Sequence, residues 1–250
     1  MLRAAVQIWE REGERTVPGY EAAQAVPSDK LTFVYERLLE VYGLPAWNPG
    51  GDALGELVAT ILSQHTSDVN SERAYQRLVW QLPSWEAVRD APAHAMEEAI
   101  RPGGLAHVKA LRIQQVLREL TARLGGAPLS LGVLDAMADE DAQAYLRSLP
   151  GVGRKTAACV LLFALGRPVF PVDTHVLRVS QRLGLIAPRT SADAAHIQLG
   201  AAIPPAWRHT LHINLIRHGR QVCHAQRPAC AQCPVRAVCD YYWRAVRDSV

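Results

Sequence analysis

Four cysteines crowd the C-terminal end of a 250-residue chain: Cys223, Cys230, Cys233 and Cys239, with gaps of six, two and five residues. Thiolates this close in sequence can wrap one compact metal centre. A structural zinc ion takes four cysteines, and so does an iron–sulfur cluster. Zinc modules usually set two short Cys-x-x-Cys pairs far apart, and this stretch has one short pair and two wider gaps. The fifth cysteine, Cys159, stands alone in an apolar, helix-like run. An odd count, with no apolar export signal in the opening MLRAAVQIWEREGERTV, argues against a disulfide framework. It favours a metal site in a reducing compartment, hence the cytoplasm, or the nucleoid in a bacterium.

Lysine is the second chemical signal. Of 27 basic residues only three are lysines, Lys30, Lys109 and Lys155. Arginine replaces lysine wherever a surface charge suffices, but not where an amine must become neutral and attack carbon. Lys155 sits in Leu149-Pro150-Gly151-Val152-Gly153-Arg154-Lys155-Thr156-Ala157-Ala158. Here Pro150 stops one helix, and Gly151 and Gly153 permit a tight turn with positive φ. An apolar helix then starts, with small Ala157 and Ala158 allowing a close crossing. Free N–H groups at that helix start form an anion site of the kind that takes a phosphate. A plain helix–helix turn is the bland reading of the same glycines. Eighteen residues beyond Lys155 comes Val172-Asp173-Thr174-His175-Val176. Asp173 there is a helix N-cap, and capping would also hold its carboxylate ionised and aimed into a groove.

The elements that must position these groups are helical. Leu31, Val34, Leu38, Leu39 and Tyr42 share one face, and the apolar positions of Ala106–Leu124 form a second stripe. Further helices are expected at 53–62, 70–80, 85–89 (with Ser84 as N-cap), 139–149, 152–165, 174–183, 191–203 and 206–217. Residues 1–30 read as a short helical stretch followed by a linker or arm. No period-2 strand and no fixed-period repeat is present. The net charge of +3 is too small to prove a nucleic-acid partner. No apolar run is long enough to span a bilayer, so a membrane role is excluded at this level.

The glycine turn with Lys155 resembles the helix–hairpin–helix of DNA base-excision glycosylases, and most closely that of the endonuclease III family. The cysteine spacing resembles that family's [4Fe–4S] signature, and the V-D-T-H segment resembles its catalytic aspartate segment. The resemblance covers roughly residues 31–240. It implies an all-α fold of two helical domains with a cleft between them. One is a helical barrel domain over 47–167 and the other an iron–sulfur domain over 31–46 plus 168–250. Residues 1–30 stay unassigned. It implies Lys155 as nucleophile, with Asp173 supporting positive charge on the sugar from the opposite wall. Cys223, Cys230, Cys233 and Cys239 would hold the cluster.

Gly151, Val152, Gly153 and Arg154 would form the DNA-contacting hairpin, with Arg154 also favouring a neutral Lys155 amine. Arg227 in the cysteine loop is a phosphate contact, and His175 also touches DNA. Leu62-Ser63-Gln64-His65-Thr66-Ser67-Asp68 resembles the segment supplying one wedge. His65 stands where the family often has Gln, and Gln64 precedes it. Gly104-Leu105 resembles the second wedge, with Leu105 intercalating. A loop histidine without a role and helix-end packing are the plain readings of His65 and Leu105. The implied partner is double-stranded DNA carrying a damaged pyrimidine or an abasic site, bound by a monomer. Two rivals remain: a monofunctional mismatch glycosylase, and a non-catalytic iron–sulfur protein that binds damaged DNA.

Overall fold

The computed structural model describes Val26 and residues 28–246. Eleven α-helices run in order: α1 Ser28–Tyr42, α2 Ala53–Ser63, α3 Asp68–Gln81, α4 Trp85–Asp90, α5 Ala93–Ile100, α6 Ala106–Leu124, α7 Asp139–Arg147, α8 Arg154–Cys159, α9 Thr174–Leu183, α10 Ala192–Ala202 and α11 Arg208–Gln221. The described residues contain no strand, so the all-α expectation holds. Short polar side chains start several helices by accepting otherwise orphaned amides. Asp52 accepts Leu54 N at 2.9 Å, Ser84 accepts Ala87 N at 3.1 Å, and Ser191 accepts Ala194 N at 3.2 Å.

Several boundaries differ from the sequence reading. Most of the expected N-terminal helix and linker lies outside the described residues, but Ser28–Lys30 already belong to α1. Helix α7 ends at Arg147 rather than Leu149, because Ser148–Pro150 turn into the hairpin. Helix α8 starts at Arg154 rather than Val152, and Val160–Ala164 widen it into a π turn. Helix α5 was not expected. It follows Pro92 and has no side-chain cap, so neither of the usual start signals marks it.

The buried apolar side chains form two clusters. One draws on residues from Ala53 to Val169 and holds α2–α8. The other joins Leu31, Val34 and Leu38 of α1 to residues from Phe170 to Cys239. Helix α1 reaches that second cluster by packing on α11. Gly219 of α11 makes its approach to α9 possible, since a Cβ there would lie 3.0 Å from His175. Between the clusters lies a cleft of about 2070 Å3 of empty space, open to solvent. No helix among the described residues is long and apolar enough to cross a membrane.

Candidate active site and thiolate centre

Lys155 and Asp173 line the same cleft. Lys155 stands in the first turn of α8, half-buried, beside the buried Ala157 and Ala158. Asp173 is the N-cap of α9, and its Oδ1 accepts the Val176 amide at 2.7 Å. Capping and cleft lining therefore coexist in one carboxylate. Gln64, His65 and His175 share the cleft with them. Burial, and then the Arg178 and Arg220 charges, push the His175 imidazole below its ordinary range, against the pull of Asp173.

The cleft also contains groups the sequence reading passed over. Glu56 of α2 lines it, and burial raises its carboxyl pKa against the opposing pulls of the Thr60 hydroxyl at 3.1 Å and the Lys155 charge. A lone acid within the apolar run ALGELVATILS was the available signal. Cys159 lies one helical turn after Lys155, and burial raises its thiol pKa against the pull of the Lys155 charge. His212, buried on α11, donates Nδ1–H to the Pro171 carbonyl at 2.9 Å, and burial pushes its pKa down to about 4. Asp68 and Arg220 form an ion pair across the cleft mouth, with one N–O distance of 3.0 Å. That guanidinium holds Asp68 below the ordinary carboxylate range.

The hairpin departs from expectation in three places. Gly151 does adopt φ +69°, and a Cβ there would overlap the Arg112 guanidinium, which donates to the Gly151 carbonyl at 3.3 Å. Gly153 instead has φ −88°, so its merit is open space above the helix start, where a Cβ would meet nothing within 4 Å. Val152 is 5% exposed and belongs to the first cluster. Arg154 turns away from the cleft: its Nε pairs with Asp193 at 3.2 Å and its side chain lines a separate groove with Arg208.

Leu105 and Arg227 lie outside the cleft lining, on exposed loops. With His65 they are the positive-φ non-glycine residues of the described chain, at 49°, 49° and 54°. Side chains hold this conformation only where surroundings impose it, and such strain gathers at functional sites. Leu105 is 57% exposed at the tip leading into α6.

Cys223, Cys230, Cys233 and Cys239 ring one small cavity of about 360 Å3, alongside Arg182, His218, Tyr241 and Tyr242. Among the described residues no three His, Cys, Asp or Glu side chains converge on a single metal-ion position. Burial raises the Cys230, Cys233 and Cys239 thiols, Cys233 to about 11, and repulsion from neighbouring cysteines adds to it. A strongly cationic centre is what turns such thiols into thiolate ligands. The donors around them suit that role. Arg182 donates to Cys223 Sγ at 3.4 Å, and His218 Nε2 lies 3.6 Å from Cys233 Sγ with Tyr42 on its other nitrogen at 3.1 Å.

Comparison with known proteins adds four findings. Residues 58–205 match the family of HhH-GPD superfamily base excision DNA repair proteins. Endonuclease III of Thermotoga maritima is 32% identical over 80% of this chain and 88% of its own length. A candidate DNA glycosylase of Arabidopsis thaliana is 36% identical over 67% of this chain, which spans 56% of that relative. Among solved structures, a trapped endonuclease III–DNA covalent intermediate superposes with a TM-score of 0.72 at 28% identity, covering 86% of this chain and 96% of that one.

Proposed function

The chain belongs to the endonuclease III family of HhH-GPD base excision repair proteins, and from that premise we propose that it is a bifunctional DNA glycosylase and AP lyase acting on oxidised pyrimidines in duplex DNA. The observation that carries this reading is the pairing of Lys155 and Asp173 on one cleft, in a chain otherwise nearly free of lysine. A sugar carbon inside a duplex is out of reach, so the nucleotide must be extruded, at a cost of a few kcal/mol. The open cleft that Lys155 and Asp173 line would receive it. His65 and Leu105 fill the gap left behind.

In the cleft, the Lys155 amine forms a bond to C1′ as the glycosidic bond to the base breaks, and the proton that the amine sheds on bonding leaves with the base. Asp173 faces the positive charge that develops on the sugar. Its hydrogen bond to Val176 N keeps the carboxylate in place throughout. Opening of the sugar ring yields a Schiff base between Lys155 and C1′. Loss of a C2′ proton then breaks the C3′–O bond and nicks the strand. A lysine suits this chemistry because its amine can be neutral at an operating pH that leaves arginine charged.

Cys223, Cys230, Cys233 and Cys239 would hold a [4Fe–4S] cluster. When bound, that group supplies a cross-link among the four cysteines of residues 223–239, which pack against α9 through the Arg182 hydrogen bonds, and no step of the reaction passes through it. Four sulfurs spread around a cavity suit a multi-atom cluster better than one zinc ion. Purified protein carrying the cluster would absorb near 400 nm and contain iron and sulfide. Zinc in place of iron would overturn the assignment.

The deciding experiment gives the protein, as a monomer, oligonucleotides that each contain one lesion, with and without borohydride. Trapped adducts on oxidised-pyrimidine duplexes are expected. The Lys155→Arg variant should bind the same duplexes and trap nothing. Base release without trapping would make the protein a monofunctional glycosylase, and binding without release a non-catalytic reader of damage.

A further inference from the structure

Lys109 takes no part in the mechanism above. It lies in the first turn of α6 and is 3% exposed. Its ammonium donates to two carbonyls, Leu62 O at 2.7 Å and Gly103 O at 2.8 Å. It has no carboxylate at ion-pair distance among the described residues. A buried ammonium without a counter-charge costs stability, and a methionine would fill the same space without that cost. Burial accordingly pushes its pKa down.

The two acceptors explain the choice. Leu62 is three residues before His65, and Gly103 is two residues before Leu105. They anchor the two loops that carry His65, which lines the cleft, and Leu105, which lies outside it, both at positive φ. The turn at Gly103 also lies close against α2 and α3: a Cβ on Gly103 would sit 3.1 Å from Ala74 Cβ, tighter than an ordinary contact, and 3.8 Å from the Leu62 carbonyl. One ammonium therefore fixes how far apart the loops sit. Two charge-assisted bonds to fixed carbonyls hold that spacing more firmly than apolar packing would.

We propose that Lys109 is a positioning residue that sets the spacing of the His65 and Leu105 loops, so that both side chains engage an unstacked duplex together. The proposal rests on the glycosylase reading for its consequence on DNA, but not for the hold on the loops themselves.

Two measurements on the full-length protein test it, using Lys109→Met and, should that variant fail to fold, Lys109→Gln. The first is amide hydrogen exchange without DNA. Exchange should quicken at residues 63–67 and 103–106 together, with the α6 core at 113–120 unchanged. No change at either loop, or a change spread over the whole first cluster, overturns the proposal whatever the protein does to DNA.

The second compares single-turnover excision from a lesion duplex with borohydride trapping on an abasic site in single-stranded DNA, which needs no extrusion. Excision should fall about ten- to hundred-fold and trapping by less than about twofold. In a His65→Ala, Leu105→Ala background the Lys109 substitution should add less than about twofold, since it acts through those residues. Equal losses on both substrates, or an undiminished loss in that background, would reduce Lys109 to a core residue. A wild-type protein that neither excises nor traps would remove the glycosylase reading, and the exchange data would still decide the loop hold.

Discussion

The Asp173 carboxylate does two jobs that one substitution can separate. Asparagine caps a helix about as well as aspartate, so Asp173→Asn keeps the bond to Val176 N and removes only the charge. Turnover should then fall roughly 10²–10³-fold with DNA binding and melting temperature nearly unchanged. Asp173→Ala also removes the cap, at a cost of about 1 kcal/mol, or about 2–4 °C in Tm. Steady-state kinetics beside thermal melts of both variants check this, and an Asp173→Asn protein that melts early while turning over normally would make capping its whole role. At this scale the sequence states residue types well and directions poorly. Arg154 follows the hairpin glycines as a DNA-facing residue would, yet it pairs with Asp193, 39 positions away. Lys109 could be marked as unusual from composition, but its partners lie 47 and 6 positions off. Only the folded chain brings them to it.

At the scale of the element, the link between the two clusters is governed by two histidines. Phe170 and Pro171 precede Asp173, and both offer a carbonyl to a histidine. His196 Nδ1–H donates to Phe170 O at 3.1 Å and His212 Nδ1–H to Pro171 O at 2.9 Å. Burial pushes both imidazoles to about 4. His196 also faces Arg154, Asp193 and Lys155, and His212 faces Asp173, Lys155 and His209.

An unfolded histidine titrates near 6.5. Between about pH 6.5 and 4 the unfolded chain therefore binds more protons than the folded one, and stability falls as pH drops through that window. Above it these groups have no effect. Melting temperatures from pH 7.5 to 4.5 should show this slope, and His196→Gln, which keeps an N–H for Phe170 O, should flatten it. An unaltered slope would sink the idea. The helices were legible because period and caps are local properties, as at Ser84. The segment 168–173 was not, since its conformation comes from α10 and α11 rather than from its own residues.

Across the whole molecule, the second cluster is small and is fastened by polar links as much as by apolar packing. From α9, Arg178 donates to the Cys223 carbonyl at 3.1 Å and the Gly219 carbonyl at 2.9 Å, and Arg182 donates to the Ala225 carbonyl at 2.9 Å while stacking over Tyr241. Lys30 of α1 bonds Asp240 at 2.7 Å and the Leu183 carbonyl at 3.0 Å. The cysteine loop, α1 and α9, which Asp173 caps, are thus one network. The first cluster meets it through Phe163, whose ring packs on His209 and His212 of α11, and through the Arg154–Asp193 and Asp68–Arg220 pairs.

A protein built this way should lose its two halves unequally. Cys233→Ser, or removal of the bound iron by oxidation and chelation, should free residues 222–244 and the C-terminal turn of α9 in hydrogen exchange. Residues 53–165 should stay protected. DNA binding should weaken, because Arg227 and the Asp173 wall both belong to the loosened half, while Lys155 keeps its place on α8. Exchange that rises uniformly across both clusters would mean that the chain unfolds as one cooperative unit and that this division of labour is wrong.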